Sequence, residues 1–206
     1  MATNPLPRRL CRVALPLAAA LALAACGTGP RPDVPGAAPE YGTGSDPASA
    51  FVWSSRMAAL ESQVEGSLGG SGATVARTKD ERVWITLPGD LSFEPGRSAL
   101  KPAVRSLLDR VVVALRSVPK AEIRIVGHTD AKGTAAANNA LSLDRAASTR
   151  DWLVARGVSP VRFVVAGRGA QDPVASNEDE AGRARNRRVE ILIGERPAAP
   201  ARGGSN

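Results

Sequence analysis

Residues 121–157 read AEIRIVGHTDAKGTAAANNALSLDRAASTRDWLVARG. The first seven residues alternate apolar with charged side chains, which predicts a strand with one buried face. The loop GHTDAKG follows, and a helix is predicted from about Ala136 to Arg156, where Gly157 ends it. Loops that join a strand to a helix gather at one edge of a sheet, and ligand sites favour that edge. We therefore expect the functional residues in and around this loop.

The segments on either side of this stretch predict the rest of the fold. A helix with a wide apolar stripe is predicted over 102–118, and a long loop over 88–102. The polar segment 167–186 is expected to be loop with one short helical piece. The order β-β-α-β-α-β-β predicts an α+β fold, a two-layer sandwich with the helices on one face of a small mixed sheet. The remaining strands are predicted at 74–78, 82–87, 162–167 and 187–194.

The first 26 residues have the pattern of an export signal. A positive start, with Arg8 and Arg9, precedes VALPLAAALALAA (13–25), an apolar run shorter than the about 20 residues of a transmembrane helix. The run ends in LAAC, which resembles a bacterial lipobox. That resemblance implies removal of residues 1–25 and lipidation of Cys26. The alternative is an ordinary signal peptide, with Cys26 incidental.

Export and lipidation limit the possible partners. Loss of Cys11 with the signal and lipidation of Cys26 leave no free thiol, which excludes a cysteine nucleophile or a cysteine-ligated metal. The signal carries three arginines and no acid, so the formal charge of +7 falls by three. For an exported chain the expected anionic partners are the wall and lipid headgroups, not nucleic acid. Gly27 follows the cysteine, at the position where lipoproteins retained in the inner membrane commonly carry Asp. The resemblance to lipoproteins without this Asp implies a location on the periplasmic side of the outer membrane.

Composition and periodicity divide the mature chain into four parts. The Gly/Pro-rich segment 26–50 predicts a flexible tether, and 196–206 a disordered tail. Residues 51–67 predict a short amphipathic helix with Trp53 and Met57 on its apolar face, which packs on the following domain or self-associates. The domain itself is predicted over 74–195.

An enzyme is not predicted. His128 is the single histidine, and the chain contains neither a G-x-S-x-G nucleophile elbow nor further histidines for a metal site. Asp130 and Glu94 are carboxylates, but nothing in the sequence supports their pairing across a glycosidase cleft. We expect His128 to be structural, and no cofactor or metal.

The same stretch suits binding of a zwitterion. Asp130 follows the strand, and Asn138, Ser142 and Arg145 recur on one face of the early helix. The carboxylate can take an ammonium group, and the guanidinium a carboxylate in a forked pair that lysine does not reproduce. Spacing alone leaves open a second interpretation, in which Asp130 and Arg145 pair with each other as a structural ion pair.

Three motifs carry a resemblance that bears on this choice. GHTDAKG (127–133), NNALSLDRA (138–146) and NEDEAGRARNRRV (177–189) are together similar to the pattern of the OmpA-like C-terminal domain family, which includes peptidoglycan-associated lipoproteins. LSFEPGRSALKP (91–102) is a looser match. No transmembrane barrel is expected before the domain, so the chain resembles the lipoprotein branch.

The resemblance implies non-covalent binding of peptidoglycan through the diaminopimelate of its stem peptides. Asp130 and Arg145 match the family's ligands, and further residues are implied around them. Arg187 and Arg188 are expected either to contact a stem carboxylate or to brace the last strand. The function implied is tethering of the outer membrane to the wall. The alternative is that the chain is an accessory part of a trans-envelope machine. It would then use the domain as a wall anchor and have envelope proteins as partners. The residues expected to line the pocket are Thr129, Asn138, Leu141, Phe93 and Glu94.

Overall fold

A computed structural model describes residues 51–197. The export signal, Cys26 and the tether predicted over 26–50 lie outside this range, as does the tail from residue 198 onward. Among the helices between residues 51 and 197, none has the length and apolar character needed to cross a bilayer.

The described chain confirms the predicted α+β fold. All five predicted strands are present, together with both long helices of the domain. One turn of helix, α2, lies in the segment predicted as loop, because four residues are too few to show a helical period. The elements are α1 (Ser55–Leu68), β1 (Thr74–Arg77), β2 (Val83–Pro88), α2 (Gly89–Ser92), α3 (Pro102–Leu115), β3 (Glu122–His128), α4 (Ala135–Val154), a 3-10 turn (Pro160–Arg162), β4 (Phe163–Gly167), α5 (Glu180–Asn186) and β5 (Arg188–Gly194).

The strands form one mixed sheet in the order β1-β2-β5-β3-β4. Only β3 and β4 run parallel, as expected for strands joined through a helix. β5 is central, and Ile191 stands in register between Ile85 of β2 and Ile125 of β3. These three isoleucines belong to the main core, which the sheet shares with α1, α3 and α4.

Helix α1 packs on the domain, which was one of the two alternatives for this segment. Met57, Leu60, Val64 and Leu68 are each at most 1% exposed and face α3 and the first strands. The Ser54 side chain accepts a hydrogen bond from the Met57 N–H and so caps the helix. The apolar face of α1 is therefore covered within the chain.

The chain enters the described part at one end of the sheet. The Val52 N–H donates to the Glu195 carbonyl at 2.9 Å, and the Ser54 hydroxyl donates to the Glu195 carboxylate at 2.6 Å. Glu195 follows the last residue of β5. At the other end of that strand, Arg188 pairs with His128, the last residue of β3. The entry point and the loop after β3 thus lie at opposite ends of the sheet, roughly 20 Å apart for seven strand residues.

The sheet face turned away from the helices buries an ion cluster. Arg188 Nε donates to Glu190 Oε1 at 2.7 Å, and His128 Nε2 lies 3.7 Å from the same oxygen. Burial lowers the pKa of His128 below its ordinary value, although the Glu190 hydrogen bond opposes this. His128 is therefore held among buried side chains, which agrees with the structural role predicted for it.

We expect the free energy of unfolding to fall as the pH is lowered from 7.5 to 5.5. The pKa of His128 is depressed in the folded protein, so the unfolded chain takes up the proton first. Its contribution to stability is present above about pH 6.5 and is lost below it, by up to about 1.4 kcal/mol per pH unit. Urea unfolding at several pH values measures this slope. Because His128 is the single histidine, a His128→Gln variant that keeps the full slope would contradict the assignment.

Candidate functional site

The site is built on the loop between β3 and α4. Gly133 has φ of +91°, a conformation that favours glycine, and Thr134 caps α4 through its side chain. Asn138, in the first turn of α4, donates from Nδ2 to the carbonyls of Asp130 at 3.2 Å and Lys132 at 3.0 Å. This asparagine therefore fixes the loop backbone and the position of Asp130.

Asp130 is buried and has defined partners for both carboxylate oxygens. Oδ1 accepts a hydrogen bond from the Lys132 N–H at 3.0 Å, and Oδ2 accepts one from Arg187 Nη1 at 2.8 Å. Asp130 does not pair with Arg145 in this arrangement. The structural ion pair between these two residues, which spacing alone left open, is therefore absent from the described structure.

Arg145 is a buried guanidinium with no carboxylate partner in residues 51–197. It is 4% exposed, its Nε donates to the Arg97 carbonyl at 3.0 Å, and it lies 5.0 Å from the centre of the Phe93 ring. Burial lowers its pKa, which the negative charge of Asp90 partly offsets. Neither terminal nitrogen bonds to another described residue. A buried cation without a paired anion is costly, so this position is suited to an anionic ligand.

Arg187 joins three segments at the same place. Nε and Nη2 donate to the two oxygens of Asp90 at 2.8 and 2.7 Å, Nη2 also donates to Glu180 Oε1 at 2.8 Å, and Nη1 donates to Asp130. These hydrogen bonds raise the pKa of Arg187, and the bond to Asp90 has the largest effect. Hydrogen bonds from Arg187 and Arg183 lower the pKa of Glu180 to about 2, and the Arg187 bond lowers that of Asp90.

Asp90 and Glu180 were not predicted from the sequence. Asp90 lies 97 residues before its partner, in a segment expected to be loop, and Glu180 lies in the acidic run NEDE. The one local signal is Gly89, which precedes Asp90. A Cβ there would lie 2.8 Å from the Arg187 carbonyl oxygen, so glycine permits the two backbones to touch.

The structure brings most of the predicted residues together and places Arg188 elsewhere. Arg188 lies on the opposite sheet face and donates to Glu190, because neighbouring strand residues point to opposite faces; of its two predicted roles, this contact fits the bracing of the last strand. Glu94 stays a prediction as a pocket-wall residue: its side chain is 61% exposed and lies 3.7 Å from Lys101 Nζ. Of the other predicted residues, Thr129 and Asp130 lie in the loop, Asn138 and Arg187 bond to it, and Arg145 lies over the Phe93 ring. Leu141 is half-buried one turn before Arg145.

The arrangement offers charge recognition. Two guanidinium groups and the Asp130 carboxylate are held at fixed positions around one loop, which suits a ligand that carries both charges. Within residues 51–197 there is no cluster of three or more His, Cys, Asp or Glu side chains that could hold a metal ion.

Comparisons with known proteins bear on this geometry. A model of the OmpA family matches residues 92–187, a range that runs from α2 to Arg187. Outer membrane protein A of Bordetella avium is 45% identical over 109 residues, 53% of this chain and 56% of that protein. The peptidoglycan-associated lipoprotein of Rhizobium meliloti (strain 1021) is 35% identical over 126 residues, 61% of this chain and 72% of that protein. The chain thus spans little more than half of the first relative.

A solved structure agrees with the fold. The cell wall anchor of the T6SS from Pseudomonas aeruginosa is 31% identical and superposes with a TM-score of 0.59. The match covers 66% of this chain and 96% of that one. Sequence and structure comparisons thus point to the same kind of domain.

Proposed function

Since the chain belongs to the OmpA family, we propose that it is a non-catalytic outer-membrane lipoprotein that binds peptidoglycan and tethers the membrane to the wall. The binding is non-covalent and directed to the diaminopimelate of the stem peptide. One observation carries the proposal: the buried Arg145 guanidinium has no carboxylate partner in the described chain and lies beside the loop that holds Asp130.

The chemistry of diaminopimelate fits these two side chains. Its free end carries an ammonium and a carboxylate on one carbon, so the ligand needs an anion and a cation a few ångströms apart. Asp130 takes the ammonium group, and Arg145 takes the carboxylate through its terminal nitrogens. Arg187, which donates to Asp130 at 2.8 Å, is the second guanidinium of the site.

The names of related proteins support the same assignment. The Rhizobium relative is named a peptidoglycan-associated lipoprotein, and the Pseudomonas structure is described as a cell wall anchor. Both names describe attachment to the wall. We extend that attachment to this chain because the family match includes Asp130, Arg145 and Arg187.

The lipid anchor is proposed from the sequence. Acylated Cys26 holds the outer membrane from the periplasmic side, and residues 27–50 form the tether. Fully extended, these 24 residues reach at most about 80 Å. The chain enters the domain beside Glu195, at the end of the sheet opposite to Asp130. The binding loop and the point where the tether joins the domain therefore lie at opposite ends of the sheet.

A second candidate function is wall anchoring within a trans-envelope machine. The structural similarity to the T6SS cell wall anchor supports it. That function needs a surface for protein partners. The apolar face of helix α1 could offer such a surface, but its residues are buried against the domain. This observation favours the simple tether.

Two variants of the full chain separate the two attachments. We expect the parent to fractionate with outer membranes and to sediment with purified sacculi. Cys26→Ser is expected to leave the membranes after high-salt washing but still sediment with sacculi. Asp130→Ala is expected to stay with the membranes but no longer to sediment with sacculi. If the parent fails to sediment with sacculi, the proposed function is wrong; if Cys26→Ser stays with membranes, the lipid anchor is wrong.

A further inference from the structure

Asp90 occupies the forked edge of Arg187. Its two carboxylate oxygens accept from Nε and Nη2 at 2.8 and 2.7 Å, which is the bidentate geometry in which arginine binds carboxylates. The contact is enforced by the backbone, since the Gly89 N–H donates to the Arg187 carbonyl at 2.7 Å. Asp90 is thus held where a carboxylate of a ligand would bind Arg187.

Arg187 has other partners that hold it in place. Nη1 donates to Asp130 and Nη2 to Glu180, each at 2.8 Å, and its own backbone is tied to Gly89. The guanidinium therefore keeps two carboxylate partners when the Asp90 side chain leaves. Removing the charge of Asp90 is expected to free the fork without displacing Arg187.

Asp90 covers Arg187 on the solvent side. Its side chain is 59% exposed, whereas that of Arg187 is 19% exposed. A ligand that arrives from solvent therefore meets the Asp90 carboxylate before it meets the fork. The negative charge of Asp90 also acts on Arg145, the second cation of the site.

We propose that Asp90 is an internal competitor that occupies the fork of Arg187 and so sets the affinity and selectivity of the site for carboxylate-bearing stem peptides. This inference rests on the proposed function. A ligand carboxylate replaces Asp90 on Nε and Nη2, and Asp90 turns into solvent. The affinity is held below its maximum by the strength of one partly exposed ion pair.

The role of competitor makes a prediction about ligand class. Stem peptides that contain lysine in place of diaminopimelate lack the side-chain carboxylate, so they have nothing to place on the fork. Removal of the Asp90 charge therefore increases affinity only for diaminopimelate-type sacculi. A general electrostatic effect would change binding of both wall types.

The experiment compares three forms of the full chain in detergent. Binding to diaminopimelate-type and to lysine-type sacculi is titrated for the parent, Asp90→Asn and Glu122→Gln. Glu122→Gln is the matched control, because it also removes one acidic charge and one arginine pair, with Arg196 at 2.7 Å, at the far end of β3. We expect Asp90→Asn to bind diaminopimelate-type sacculi about two- to fivefold more tightly, the range of an exposed ion pair, and Glu122→Gln to equal the parent.

The outcomes separate this inference from the proposed function. Equal or weaker binding of Asp90→Asn, while the parent binds, overturns the role of competitor and leaves peptidoglycan binding intact. An equal gain on lysine-type sacculi, or in Glu122→Gln, also overturns it in favour of a general charge effect. No binding by any of the three forms overturns both proposals.

Discussion

Arg145→Lys is expected to weaken binding of the full chain to diaminopimelate-type sacculi by roughly tenfold or more. The substitution keeps the positive charge but removes the fork, and a lysine ammonium in the same place bonds a carboxylate as a point charge. It also removes the Nε bond to the Arg97 carbonyl and the stacking on Phe93. Each hydrogen bond to a charged group contributes about 1.5 to 3 kcal/mol, which is a factor of about 10 or more in affinity. Titration with sacculi measures the effect.

Arg116→Lys is the matched control for this prediction. Arg116 is exposed at the end of α3 and takes part in no described side-chain contact, so the same chemical change there should leave binding as in the parent. Urea unfolding of both variants checks that the fold persists. Parent-like affinity of Arg145→Lys with an intact fold would show that charge alone suffices and that the forked pair is not part of recognition.

The secondary structure could be predicted because each element carries its own period. In β5, Val189, Ile191 and Ile193 alternate with residues of the other face, and all three lie in the main core. The first strands and α4 were predicted to within one or two residues of their ends. One-turn α2 has no period to detect, and its close contact with Arg187 through Gly89 joins segments that are far apart in sequence.

The part of the site that is local in sequence could also be predicted. Asn138 and Arg145 are seven residues apart, so helical spacing places them on one face of the helix that follows the Asp130 loop. The partner of Asp130 could not be predicted, because it depends on β5 lying next to β3. Arg187 comes 57 residues later, and strand order is not encoded in spacing.

The choice between Arg187 and Arg188 shows the same limit. Adjacent residues in an extended chain point to opposite faces, so the sequence implies that one of them faces away from the site. Which one does so depends on the register of β5. Pairing of Arg188 with His128 puts Arg188 over the buried Glu190, and Arg187 is left beside Asp90 and Asp130.

Gly127→Ala is expected to lower the free energy of unfolding by at least about 3 kcal/mol. Gly127 is in β3, where α4 crosses so closely that an added Cβ would overlap the backbone carbonyl of Ser142. Backbone on both sides cannot rotate away, so the helix has to move off the strand, a cost at or above the usual range for overpacking. Urea unfolding compares the variant with the parent.

Gly66→Ala provides the opposite result from the same chemical change. Gly66 is an exposed residue inside α1, and a Cβ there meets no atom within 4 Å, so the variant should be more stable by about 0.5–1 kcal/mol.

Displacement of α4 by Gly127→Ala also moves Arg145 relative to Asp130, because the two lie on opposite sides of this contact. The variant should therefore bind sacculi less well even where it remains folded. Unchanged stability and binding in Gly127→Ala would contradict the close approach of β3 and α4 on which the geometry of the site depends.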